Sequence, residues 1–310
     1  GRLYGGVAMA YGNSSSVPFD RQFYCGGSNG MRGWTPRTLG QGSVPDPRND
    51  YPVQTGSETL SNRGCDVTFD HVGFSYDSGE TVLKDVSFTA KQGEVTALVG
   101  PSGGGKTTVS RLAARFWDIK QGKITVGGMD ISKIDPEKLM SLYAIVFQDV
   151  TLFDNTILEN IRIGRKDATD EEVIQAAKAA QVDHFVRTLP DGYNTILNEE
   201  ATNVSQGQKQ LLTIARAILS DSRIMILDEA TSSVDTRTEL SIQTAMDNLM
   251  RGRTSFIIAH RLSTIRNADL ILCMKDGDIV EQGTHEELLA KNGFYANLYN
   301  SQFEHAEESA

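Results

Sequence analysis

The segment Gly100-Pro-Ser-Gly-Gly-Gly105-Lys106-Thr107 has residue types suited to holding a polyphosphate. It fits the spacing G-x-x-x-x-G-K-[ST] at every fixed position. A triphosphate needs many hydrogen-bond donors within a small radius. Glycines let backbone N–H groups turn inward without side-chain clash, and a following helix adds the positive end of its dipole. Lys106 can reach terminal phosphates as a compact cation, and the Thr107 hydroxyl can ligate Mg²⁺. At average residue frequencies a chance match falls in roughly one chain of this length in a hundred. Gly100, Ser102, Gly103, Gly104, Gly105, Lys106, Thr107 and Thr108 are therefore candidate contacts to the phosphates of ATP.

A second group lies far along the chain, where Ile224-Met225-Ile226-Leu227 runs into Asp228-Glu229. A buried strand that ends in an acid delivers that acid to the carboxyl edge of a parallel sheet, where ligands sit. Asp228 suits the outer shell of Mg²⁺. Glu229, one residue on, is free to polarise an attacking water.

The elements that must position these groups are legible around them. Glu94 to Val99 reads as a short apolar strand leading into the glycine loop. Val109, Leu112, Ala113 and Phe116 then follow at helical spacing. Val67 and Phe69, and separately Val72 and Phe74, suggest half-buried strands, and Val82 to Thr89 another. Thr169 and Glu172 form a capping-box pattern that opens a helix within a mostly helical stretch, about 155–190. Residues 205–219 read as a second strong helix. Ile224 to Leu227 and Phe256 to Ala259 are continuous apolar runs, as in strands covered on both faces. Lys275-Asp276-Gly277-Asp278 carries a hairpin turn. This alternation predicts an α/β fold with a mainly parallel sheet.

Composition narrows the function. The formal net charge of −10 argues against a general nucleic-acid binder, because phosphate backbones recruit basic surfaces. Cys25, Cys65 and Cys273 are odd in number and far apart, which offers neither a metal cluster nor a disulfide framework. No apolar run approaches the roughly 20 residues of a membrane-spanning helix.

With these residues in place, the stretch 65–302 resembles the nucleotide-binding domain of ATP-binding-cassette transporters. The resemblance implies a P-loop NTPase (RecA-like) core, an antiparallel β subdomain, and a helical subdomain at about 150–220. The nucleotide-binding domain would occupy 63–310. Tyr76, in Phe74-Ser-Tyr76, looks like the aromatic that stacks on adenine. Gln148 looks like the glutamine that links Mg²⁺ to the transporter interface. Val204-Ser205-Gln206-Gly207-Gln208 is similar to the family signature, so Ser205, Gly207 and Gln208 would face ATP held by a second subunit. Asp235, in Ser232-Ser233-Val234-Asp235, would belong to the dimer-contact loop. His260 resembles the switch histidine at the γ-phosphate. The implied catalytic set is Glu229, His260, Lys106 and Gln148, with Mg²⁺ held by Thr107, Gln148 and Asp228.

Phe153-Asp-Asn-Thr156-Ile157 to Asn160-Ile161, and Glu281-Gln-Gly-Thr-His285, are similar to the exporter branch of the family. The signature departs from the family pattern, since Gln206 stands where a glycine is usual. That departure, beside an intact Glu229, resembles one half of a heterodimeric multidrug or lipid exporter. The resemblance implies membrane helices on another chain or region, and a place on the cytoplasmic face of the inner or plasma membrane.

Residues 1–62 are different in kind. They are rich in Gly, Ser, Asn and Pro, and read as short strands and loops, or as disorder. Tyr11-Gly-Asn, Phe19 to Tyr24, Gly26-Gly27-Ser28, Met31-Arg32-Gly33-Trp34 and Tyr51 to Gly56 resemble the C-terminal barrel of outer-membrane assembly proteins, the Omp85 or surface-antigen family. Arg32 would match that family's barrel-loop arginine. About 60 residues do not close a barrel, since small barrels take eight strands. A joined reading frame with its junction near Asn62 to Cys65 is the simplest account.

Overall fold

The computed structural model describes residues 25–27, 30–31, 64–76, 81–147, 152–197, 203–228, 235–259 and 262–307. Near the N-terminus, β1 (Cys25–Gly27) pairs antiparallel with β2 (Gly30–Met31). From Val67 onward the elements form three linked layers.

The first layer is antiparallel. It contains β3 (Val67–Ser75) and β4 (Thr81–Ala90), then β6 (Gln121–Val126) and β7 (Met129–Asp130), in the order β4-β3-β6-β7. Val67, Phe69, Val72 and Phe74 all lie in β3, which is one strand rather than two. Its pairing with β4 shifts register between Phe69 and Val72 and again between Val72 and Phe74. The shifts bring Val72 back to the buried face out of the period-2 phase set by Val67 and Phe69.

The second layer is a six-stranded sheet. Its members are β5 (Val95–Val99), β8 (Tyr143–Val146), β11 (Ile224–Asp228), β12 (Thr254–Ile258), β13 (Leu270–Lys275) and β14 (Asp278–Gly283). They run in the order β14-β13-β5-β12-β11-β8. All neighbours are parallel except the β13–β14 hairpin. That hairpin turns at Asp276 and Gly277, both with positive φ (51° and 78°), as its Asp-Gly turn predicts.

Helices make the third layer. After α1 (Lys106–Ala113) and α2 (Pro136–Met140), which pack instead into the core shared with the antiparallel layer, come α3 (Ile157–Arg162), α4 (Asp170–Ala179), α5 (Asp183–Val186) and α6 (Gln206–Ser220). A two-residue ladder of β9 (Asn155–Thr156) and β10 (Ile196–Leu197) lies among them. The chain then adds α7 (Thr236–Met250), α8 (Leu262–Arg266), α9 (His285–Ala290) and α10 (Phe294–Glu307). The Thr169–Glu172 capping box forms at α4 as predicted. Phe116, by contrast, falls outside α1, because Arg115 turns into the left-handed region (φ 56°) after the helix ends.

Alternation along the parallel strands divides the interior in two. Leu98, Ile224, Ile226, Phe256, Ile258 and Leu272 face the antiparallel layer and α1. Ala97, Val99, Met225, Leu227, Ile257 and Ile271 face the helices. Each strand is therefore apolar on both faces, which is why its sequence is a continuous run.

One buried polar hub joins the helical layer. Asn160 is fully buried. Its amide nitrogen donates to the carbonyls of Phe153, Asn155 and Thr156, and its Oδ1 accepts from Phe153 N–H. The Arg216 guanidinium on α6 donates to Asn160 Oδ1 and to its backbone carbonyl, 2.8 and 2.6 Å away, and lies over the Phe153 ring. Asn160→Ala removes one hub residue and strands several buried polar groups. The expected loss is about 2 to 4 kcal/mol of stability, read as a lower denaturant midpoint. An unchanged midpoint would show that the hub contributes nothing.

Candidate functional site

The carboxyl ends of β5, β12, β11 and β8 lie side by side along one rim of the sheet. Parallel strands sit about 4.8 Å apart, so the residues that follow them emerge as close neighbours. Gly100 follows β5, Asp228 closes β11, Ala259 follows β12 and Phe147 follows β8. These are the doorsteps of the phosphate loop, Glu229, His260 and Gln148. Glu229, His260 and Gln148 themselves, with Ser232 to Val234, lie outside the described residues.

The phosphate loop bends where the sequence places glycine. Gly100 has φ 141°, and a Cβ there would sit 2.1 Å from the Met274 carbonyl oxygen on β13. Gly105, the N-cap of α1, has φ 99°, and a Cβ would meet Leu83 at 2.7 Å. Both positions therefore need glycine for conformation and for space. Gly104 and Gly105 are buried, whereas Ser102, Gly103 and Thr107 are exposed.

Lys106 sits in the first turn of α1, 8% exposed. Its Nζ donates to the carbonyls of Gly100 and Pro101 at 2.7 and 2.8 Å. The lysine predicted to reach phosphates thus folds back across the mouth of its own loop. Burial pushes its pKa below the usual lysine range, and the nearby Asp228 carboxylate opposes that shift. Lys106 and Asp228 therefore share one electrostatic neighbourhood although 122 residues apart in sequence. The Thr107 hydroxyl at the start of α1 and the Asp228 carboxylate are hard oxygen donors of the kind Mg²⁺ takes. The donor set at this rim fits that ion.

Tyr76 is half-buried at the end of β3. Its hydroxyl lies 3.1 Å from Thr108 Oγ1, which ties it to the phosphate-loop helix. Its ring meets Phe74 and Trp117 edge-on, at centroid distances of 4.9 and 5.2 Å. Trp117 is a site neighbour that the sequence motifs do not mark. The Phe116-Trp117 pair just past the phosphate-loop helix was the available signal.

Ser205, Gly207 and Gln208 belong to the helical layer. Ser205 caps α6 and forms a full capping box with Gln208: each side chain accepts from the other's backbone N–H. Gln206 is exposed at the first helical position and Gly207 is buried. Both hydrogen bonds of this cap close within the helix end rather than on the chain's own phosphate loop. Asp235 caps α7 through Thr238. Hydrogen bonds to Thr238 hold its carboxyl below the usual range.

Comparison with known proteins places this geometry. The ABC transporter family profile matches residues 83–232. The chain is 50% identical over 253 residues to the ABC transporter ATP-binding protein YfiC of Bacillus subtilis, covering 82% of this chain and 40% of that protein. It is 51% identical over 254 residues to the fatty acid ABC transporter ATP-binding/permease protein of Mycobacterium bovis, covering 82% and 39%. It is 49% identical over 237 residues to the ATP-dependent lipid A-core flippase of Legionella pneumophila, covering 76% and 40%. A solved structure of a bacterial Atm1-family ABC exporter with ATP bound superposes with a TM-score of 0.73 at 42% identity, covering 78% of this chain and 42% of that one. The chain thus spans about 40% of the length of these curated relatives. A second profile, the Omp85 superfamily domain, matches residues 1–79. Its last described part, β3, is hydrogen-bonded into the antiparallel layer between β4 and β6. No helix among the described residues is long and apolar enough to cross a membrane.

Proposed function

We propose, from the premise that this chain belongs to the ABC transporter family through its ATP-binding domain, that it binds and hydrolyses ATP to power export of a substrate across a membrane. One observation carries this reading: four adjacent parallel strands open onto one rim, where Lys106 and Asp228 sit in each other's field. In this reading adenine rests on Tyr76, and the phosphates lie in the cradle from Gly100 to Thr108. Thr107, Asp228 and Gln148 would hold Mg²⁺, which would supply positive charge to the terminal phosphates. Glu229 and His260 orient the attacking water, and a second subunit closes over the nucleotide with its own signature helix. The membrane helices belong to a further region or another chain, and the domain works at the cytoplasmic face of the membrane. Phosphate release from purified protein with Mg²⁺ and ATP tests this reading. No nucleotide binding under those conditions would overturn it.

The partner subunit is a different chain in this proposal, because Gln206 adds bulk where the signature backbone must approach a γ-phosphate. A partner with an intact signature would complete the site built on Lys106 and Glu229. Gln206→Gly is then expected to change turnover of this chain alone by less than about threefold, while an intact partner signature raises it by about tenfold or more. A large gain from Gln206→Gly alone would favour a homodimer.

A second reading concerns the N-terminal part: residues 1–62 come from an outer-membrane barrel gene joined to this one near Asn62 to Cys65; the Omp85 match supports the barrel likeness but extends past that junction to residue 79. We assign the nucleotide-binding domain to 63–310, with its helical part at about 150–220. Long-read sequencing of the locus tests the junction, and a continuous native gene would refute it.

A further inference from the structure

The segment from Glu281 to His285, singled out in the sequence, takes no part in the site described above. Its contacts show what it does instead. Glu281 is half-buried near the end of β14, and its two carboxylate oxygens accept the backbone N–H groups of Phe294 and Tyr295, each at 2.8 Å. These N–H groups open α10 and have no partner within the helix. An anion at this end also meets the favourable end of the helix dipole. Gly293 precedes the helix, and a Cβ there would lie 1.9 Å from Glu281 Oε1. The glycine therefore makes room for the carboxylate.

His285 supplies a second tie. It opens α9, and its Nδ1 lies 2.7 Å from the Tyr295 hydroxyl. Tyr295 is 2% exposed, and burial pushes its phenol pKa well up, so its O–H stays protonated. Burial, then Arg266, lowers the His285 pKa, which keeps the ring neutral and able to accept at Nδ1. The Tyr299 ring, one turn further along α10, lies 5.0 Å from the His285 ring and 6.0 Å from Tyr295.

The same face of this tied helix reaches the phosphate loop. Tyr295, Leu298 and Tyr299 line a cavity of about 160 Å³ together with Gly100, Pro101 and Ser102. Lys106 also lines it, and so do Ala259 and Ile265, which bracket His260 in sequence. The loop carbonyls that hold the Lys106 ammonium are those of Gly100 and Pro101. The first half of the phosphate loop and α10 thus border one small cavity.

We propose that Glu281 and His285 are positioning residues for nucleotide binding: they clamp α10 so that Tyr295, Leu298 and Tyr299 limit how far the Gly100–Ser102 turn can retreat. Neither residue touches the nucleotide. Each acts through α10 on the shape of the loop. The proposal rests on the ATPase reading above, and the test separates the two.

The test uses the full chain and Mg·ATP. The wild type is compared with His285→Ala, His285→Asn and Tyr299→Ala by fluorescent-nucleotide titration, turnover at saturating ATP, and melting temperature without nucleotide. Asparagine retains an acceptor oxygen near the place of Nδ1. In His285→Ala and Tyr299→Ala, Kd for ATP is expected to rise about fivefold to twentyfold while saturated turnover stays within about twofold. His285→Asn is expected to recover most of the affinity. Unchanged Kd in both alanine variants would overturn the clamp alone. So would equal losses in Kd and turnover that track a fall in melting temperature and are not rescued by asparagine. A wild type that ignores ATP would overturn the ATPase reading, and the clamp with it.

Discussion

Glu229→Gln is expected to leave ATP affinity within about threefold of wild type while lowering hydrolysis by about 10²-fold to 10³-fold. The substitution keeps size and shape and removes only the capacity of a carboxylate to polarise water. The backbone argument for its place is direct. Leu227 pairs with Ile257 and Asp228 with Ile258 in parallel register, so β11 ends at the rim where β5 hands over to the phosphate loop. Asp228 is already close enough to Lys106 to oppose the lowering of its pKa. Phosphoryl transfer of this kind depends on positioning and charge stabilisation, with little covalent work for the protein. Loss of one such group therefore falls on turnover and spares binding. Phosphate release measured beside equilibrium nucleotide binding checks the result. Wild-type turnover in the variant would refute the role of Glu229.

Lys106→Ala should act on both steps. The ammonium is the only side-chain donor described on the Gly100 and Pro101 carbonyls, and it lies almost fully inside the loop. Its removal takes away a cation facing the phosphates and releases the tie that draws the loop over itself. A charge-assisted hydrogen bond contributes roughly 1.5 to 3 kcal/mol, and every 1.4 kcal/mol is about tenfold in Kd. An affinity loss of about 10-fold to 100-fold is expected, with hydrolysis reduced at least as much. Lys106→Met keeps most of the aliphatic stem and should match alanine in nucleotide affinity while retaining more of the unliganded stability, measured by thermal melting. Unchanged affinity in both variants would remove Lys106 from the binding site.

The chemistry-bearing segments were the most legible parts of the sequence, because local rules govern them. The glycine loop needs φ values that only glycine adopts freely, so its spacing is rigid. The Thr169–Glu172 cap and the Asp276-Gly277 turn are likewise set by residues within reach of one another. The helix expected over 205–219 lies at Gln206–Ser220, with Ser205 as its cap. What escaped was non-local. Asn160 and Arg216 meet across 56 residues of sequence, and nothing near either one announces the other. The phase shifts in β3 hid one strand behind two apparent ones, since His71 turns to φ 49° within it. Phe116 kept helical spacing by coincidence after the helix had ended. The fold-back of Lys106 onto Gly100 and Pro101 was also invisible, because carbonyl partners leave no mark on residue type.

The parallel strands, apolar on both sides, carry a consequence for alignment. Sliding Ile224–Leu227 by one residue would trade isoleucines for methionine and leucine between two equally greasy compartments. Such a slip changes oil for oil, so water-hating side chains alone do not fix which residue reaches the rim. Polar pins at the opposite rim can. Val95 N–H donates to Asp269 Oδ2 at 2.8 Å, and Thr254 Oγ1 donates to the Cys65 carbonyl at 3.0 Å. These pins hold β5 and β12, so the glycine turn that follows β5 is aligned in part from the far end of the sheet.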